Sequence, residues 1–107
     1  ILTAATMEFE RIDEPDALRL RIKGEFDSVT APELRGVLDE IAEATPARVI
    51  LDLSALRLID SSGVGAIVSL FKRVRAGGGK FEVEGVQGQP ASIFKVLRLD
   101  RVFDLDS

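Results

Sequence analysis

A chain of 107 residues that is 46% hydrophobic and 30% charged holds one folded domain around a single apolar core rather than a disordered segment. It has no cysteine and no histidine, which excludes disulfide frameworks, thiolate nucleophiles, Ser-His-Asp and Cys-His arrangements and imidazole metal sites together. A net charge of −4 without a basic cluster interleaved with aromatics argues against nucleic acid, and no apolar run approaches the roughly 20 residues that a membrane helix needs.

Residues 1–6 precede the only methionine, Met7, and are expected to be an upstream or added segment, with the domain spanning 7–107. Met7 to Ile12 sets Met7 and Phe9 against Glu8 and Glu10 and predicts a first strand, closed by turn chemistry at Asp13-Glu14-Pro15-Asp16. Ala17 to Gly24 alternates Leu18, Leu20 and Ile22 with Arg19, Arg21 and Lys23, a half-buried strand expected to pair antiparallel with the first. Thr30 with Glu33 fits a capping box, and Ala31-Pro32 fits the first helical turn. Leu34, Val37, Leu38 and Ile41 then follow at helical spacing, with Arg35, Asp39, Glu40 and Glu43 outside, until Thr45-Pro46.

Ala47 to Leu53 is apolar almost throughout, which predicts a strand of a parallel or mixed sheet covered on both faces. Asp52 is its polar intruder, expected near the strand end and bonded to a loop. Ser54 to Ile59 is read as that loop. The next helix places Val64, Ile67, Val68, Phe71 and Val74 on one face, crowds Lys72, Arg73 and Arg75 into its final turn and stops at Gly77-Gly78-Gly79. Lys80 to Val86 predicts a strand with Phe81 and Val83 inward, Gln87 to Gln89 a turn, and Pro90 the start of a helix with Ile93, Phe94 and Leu97 inward. Val102, Phe103 and Leu105 are expected to form a last short strand or extended segment. Two successive strand–helix–strand units imply an α/β domain with a mixed, mostly parallel sheet and helices packed against it.

The chemistry-bearing stretch is Leu58-Ile59-Asp60-Ser61-Ser62-Gly63-Val64-Gly65, between an apolar strand and an apolar helix. Backbone N–H groups at a helix start lack intrahelical partners, and the helix dipole favours an anion there. A phosphate on either hydroxyl would be tolerated, and Ser61 and Ser62 are equally suited by this reasoning. One N-cap accounts for one of the three polar residues. Two helix-weakening glycines in the first turn imply a close approach to the backbone. Asp27-Ser28 also follows a strand and precedes a helix, so both stretches are expected on one edge of the sheet.

The chain resembles the STAS domain family, most closely the anti-sigma-factor antagonists. The matching residues are Gly24-Glu25-Phe26-Asp27 with Thr30-Ala31 and Leu34, then Val49-Ile50-Leu51-Asp52-Leu53-Ser54, then Ile59-Asp60-Ser61-Ser62-Gly63-Val64-Gly65, and Gly77-Gly78. The resemblance covers nearly the whole chain from Met7 and implies a STAS-like fold. It also implies that Ser61 is the phosphoacceptor of a partner-switching cycle in a bacterial cytoplasm. The dephosphorylated form would bind an anti-sigma factor that is also a GHKL-type serine kinase and release sigma factor; phosphorylation would abolish binding, and a serine phosphatase would restore it. Asp27, Ser28, Val29, Asp60, Ser61, Ser62, Gly63 and Val64 are the expected docking surface. On this reading the chain is a monomeric binding module and kinase substrate, not an enzyme, and needs no cofactor or metal. The alternative is a STAS domain that regulates a non-sigma target, binds nucleotide, or serves a lipid or anion transport complex. A hydrolase using Ser61 is disfavoured, because no histidine, Gly-x-Ser-x-Gly elbow or adjacent lysine accompanies it.

Overall fold

The structure, a computed structural model, describes residues 6–103. Residues 1–5 and Leu105, about which the sequence raised expectations, lie outside them. The elements in order are β1 (Met7–Glu14), β2 (Ala17–Phe26), α1 (Ala31–Glu43), β3 (Arg48–Asp52), β4 (Leu56–Ile59), α2 (Ser61–Ala76), β5 (Lys80–Glu84), α3 (Gly88–Val96) and α4 (Leu99–Val102). β1 and β2 form the expected antiparallel hairpin, turning at Pro15-Asp16. β2, β3 and β5 are parallel neighbours, so the sheet is mixed and runs β1-β2-β3-β5.

The alternation in β2 and β3 sorts the two sheet faces. Leu18, Leu20, Ile22, Val49, Leu51, Leu53 and Val83 bury against Leu34, Leu38 and Ile41 of α1 and Ile67, Leu70 and Val74 of α2. Leu70 is core, although the expected face of α2 omitted it; Val68 and Phe71 flank that face, half-buried. Phe103 packs among Phe71, Phe81 and Phe94, with centroids 5.3, 5.6 and 5.7 Å away. Aromatic contacts of this geometry add to plain area burial.

β3 is covered differently from the expectation. Its second face carries an ion-pair layer: Arg21 bonds Asp52 at 3.0 Å, Arg48 bonds Glu82 at 2.7 Å, and Arg19 bridges Glu14 and Glu84. Ile50 is buried on this face, although the core cluster lies on the other. The apolar stems of neighbouring arginines can shield it while their heads stay wet.

Three local expectations are corrected by the structure. Residues 54–59 are not all loop: β4 continues the sheet beyond the end of β3, pairing parallel with Gly24, Glu25 and Phe26 of β2. Its buried ends and exposed middle give no two-residue period to read. Leu97 is not inward but half exposed, because α3 ends at Val96 and Leu97 is its C-cap. Val102 belongs to a helical turn rather than a strand; that turn delivers Phe103 to the aromatic cluster, with the Phe103 N–H donating to Leu99 O at 2.8 Å.

Asp52 sits at the strand end as expected and accepts from the Ser54 N–H at 3.0 Å. Burial pushes its carboxyl up, but the Ser54 amide and hydroxyl and the Arg21 guanidinium outweigh burial and hold it below its ordinary value. A carboxyl depressed in the folded state stabilises above its unfolded pKa of about 3.9, and that contribution is lost as pH falls through the folded value. Asp52→Asn is therefore expected to lose about 1–3 kcal/mol at pH 7. Urea melts from pH 7 to about pH 2 should show the gap between the two proteins closing in acid.

Candidate functional site

The two stretches expected on one edge are hydrogen-bonded to each other. β4 delivers Asp60 in extended conformation, with φ −119° and ψ −171°, as the N-cap of α2. One carboxylate oxygen accepts from the N–H groups of Ser62 and Gly63 at 2.8 and 3.2 Å. The other accepts from the Ser28 N–H at 3.1 Å, tying the β2–α1 loop to the start of α2. Asp60 thus fixes both halves of the site with one side chain.

The β2–α1 loop has its own carboxylate brace. Asp27 accepts from the N–H groups of Val29 and Thr30 at 3.0 and 3.1 Å. The capping box expected from Thr30 and Glu33 does not form. Thr30 already has a helical backbone and makes no side-chain cap bond. Its hydroxyl accepts instead from the Asp27 N–H at 2.9 Å and donates to Glu25 O at 2.8 Å, buried beneath the loop.

Ser61 is the first residue of α2, exposed beside Asp60, with Ser62 also exposed after it. Ser28 and Val29 are exposed across the Asp60 bridge, Val29 to 76%. Asp27 and Asp60 are half-buried. The geometry therefore brings Asp27, Ser28, Val29, Asp60, Ser61 and Ser62 to one surface. A groove of about 470 Å³ starts at Ser28 and Ser62 and runs between α1 and α2 past Arg35 towards the Asp39–Arg73 ion pair.

Gly63 and Val64 do not belong to that surface. Val64 is 8% exposed and points into the core, so its expected contact with a partner is corrected. Gly63 is buried because the end of β2 lies against it: a Cβ there would run into the Phe26 carbonyl oxygen and approach Ile59 Cγ1 to 2.7 Å. The close approach inferred from the glycine is real, and it comes from the protein's own backbone.

Sequence reasoning missed Gln89. Its carboxamide accepts from the Ile59 N–H and donates to the Ile59 carbonyl, both at 2.9 Å, one residue before Asp60. A glutamine just ahead of Pro90 was the visible signal, but nothing local assigns it to β4.

Removing the Asp60 carboxylate should show how much it holds. Asp60→Ala strips the cap of α2 and the bridge to Ser28 and is expected to cost about 2 kcal/mol, whereas Asp60→Asn, which keeps acceptor oxygen, should cost less than half of that. Urea unfolding of the two variants beside the parent measures both. Among the described residues no helix is long and apolar enough to cross a membrane.

The chain is 30% identical over 90 residues to the anti-sigma-B factor antagonist of Bacillus subtilis, covering 84% of this chain and 82% of that protein. An anti-sigma factor antagonist from Mycobacterium paratuberculosis has the same fold, with a TM-score of 0.84 at 23% identity over 95% of this chain and 87% of that one. The phosphorylated form of the Bacillus cell fate determinant SpoIIAA superimposes with a TM-score of 0.71 at 19% identity, over 88% of this chain and 86% of its own. The profile of the STAS domain family matches residues 7–107, so the chain belongs to the STAS domain family.

Proposed function

We propose that this domain is an anti-sigma factor antagonist that works by partner switching, with Ser61 as its phosphoacceptor. Dephosphorylated, it docks an anti-sigma serine kinase through Asp27, Ser28, Val29, Asp60, Ser61 and Ser62, and sigma factor is released. The kinase then places a phosphate on Ser61, the complex separates, and a serine phosphatase resets the cycle. The domain contributes a surface and a hydroxyl; the chemistry of phosphoryl transfer and hydrolysis sits in its partners.

The observation that carries this reading is the exposed Ser61 at the first position of α2, next to an Asp60 that also holds the exposed Ser28-Val29 loop. A kinase can reach such a hydroxyl without unfolding anything. A phosphate adds about −1.5 to −2 charges at pH 7, and the helix N-terminus accommodates negative charge in the free protein. The same charge pressed into a docked interface is desolvated beside Asp60.

The test is capture from the source organism's lysate on the immobilised native chain and on Ser61→Ala, with ADP or ATP, followed by mass spectrometry. A serine-kinase-type ATPase retained on both baits, with ATP adding phosphate to Ser61 of the native bait alone, is the expected result. Retention of membrane transport components with no such ATPase would move the transport-complex role ahead. Phosphate on Ser62 alone would reassign the acceptor.

A further inference from the structure

We propose that Gln89 is a positioning residue for the acceptor loop, so that α3 sets how Ser61 is presented. The inference rests on the reading of Ser61 as phosphoacceptor and adds to it a control point on a different element.

In a parallel ladder, successive residues turn their N–H and C=O groups alternately towards one neighbour and the other. The Asp60 N–H points to β2, where it donates to Phe26 O at 3.3 Å. Ile59 points both groups the other way, and among the described residues no strand lies there: β4 pairs with β2 alone. Ile59 is 3% exposed, so water does not serve these groups. The Gln89 carboxamide takes the place of the missing strand, closing both hydrogen bonds at 2.9 Å.

Local backbone geometry aims that side chain. Gly88 has φ +63°, a left-handed turn that costs glycine little. Pro90 follows, buried and without an N–H to satisfy. Gln87, on the other side of Gly88, donates to Ser54 O at 3.0 Å. The two glutamines therefore staple α3 to the β3–β4 turn and to the last residue of β4.

The bonded residue is the immediate neighbour of Asp60. β2 holds Asp60 by one long hydrogen bond, and Asp60 in turn holds Ser62, Gly63 and Ser28. Releasing Ile59 frees Asp60 to shift, and every bond that its carboxylate makes loosens with it. A displacement of α3 is thereby transmitted to the Ser61 surface through one carboxamide.

Gln89→Met tests this, because methionine keeps length and packing while removing both hydrogen bonds. Amide hydrogen exchange is followed by NMR in the native chain, in Gln89→Met and in Gln87→Met. In Gln89→Met the Ser28, Ser62 and Gly63 amides should exchange at least about tenfold faster relative to the Leu20 amide of β2, and in Gln87→Met they should stay within about twofold. If the three amides accelerate only in step with Leu20, Gln89 merely stabilises the fold and the proposal fails. It also fails if they do not accelerate. Should Gln89→Met not fold, Gln89→Glu keeps an acceptor for the Ile59 N–H and removes the donor to its carbonyl. The same three amides should then accelerate by an intermediate factor, and no local acceleration would overturn the idea. No partner enters this measurement, so its outcome is separate from whether Ser61 accepts phosphate.

Discussion

Ser61→Asp is expected to weaken binding of the proposed anti-sigma kinase partner roughly a thousandfold, which corresponds to about 4 kcal/mol. Ser61→Ala should stay within about threefold of the parent, because it removes a hydroxyl and adds no charge. The asymmetry follows from where the charge goes. In the free domain, residue 61 is exposed at the N-terminus of α2, where the dipole favours a carboxylate. Under a docked partner the carboxylate loses water and has no cation to pair with among its immediate neighbours, Asp60 and Ser62, so desolvation is not repaid. Calorimetric titration of the purified kinase with each variant measures the affinities. Thermal melts of the variants alone should be nearly unchanged, which separates an interface effect from a folding effect. An aspartate variant that binds as tightly as the parent would remove charge at position 61 as the switch.

Gly63→Ala is expected to destabilise the domain by about 3 kcal/mol, while Gly65→Ala should stabilise it by about 0.5–1 kcal/mol. Both glycines stand within the first five residues of the same helix, and helix propensity alone predicts a gain for each. The surroundings reverse the sign at Gly63. An added Cβ there meets the Phe26 carbonyl and Ile59, which are fixed by the β2–β4 pairing and by the Gln89 carboxamide. At Gly65 an added Cβ meets nothing within 4 Å. Neither glycine has a positive φ, so the contrast is one of space and not of backbone strain. Equilibrium urea unfolding of the two single variants decides it. Gly63→Ala should also disturb the Asp60 cap, because the Gly63 N–H is one of its donors.

The sequence by itself determined the framework. Alternation in Ala17–Phe26, the apolar run of Arg48–Asp52 and the helical spacing of Leu34, Leu38 and Ile41 each repeat within a few residues, so the periods of 2 and 3.6 could be read directly. The end of β2 before Asp27 and the start of α2 after Asp60 were legible for the same reason, and with them the edge of the sheet that carries the site. Asp52 was placed correctly at a strand end, since one carboxylate in an apolar strand must find a partner.

Only the tertiary structure decided the rest, and at β4 and Gln89 the deciding contact comes from far along the chain. β4 exists because β2 is longer than β3 and offers Gly24–Phe26 for pairing; its own four residues carry no period. Thr30 loses its capping role because the Asp27 loop folds over its hydroxyl. Val64, set on the apolar face of α2 by its spacing with Ile67, is closed to a partner once that face is packed on the sheet. The residue that closes the open edge of β4 is Gln89, from a helix thirty residues later, and a side-chain amide standing in for a strand leaves no local pattern to read. Periodicity shows which face of an element is apolar; it does not show which distant backbone comes to rest against it.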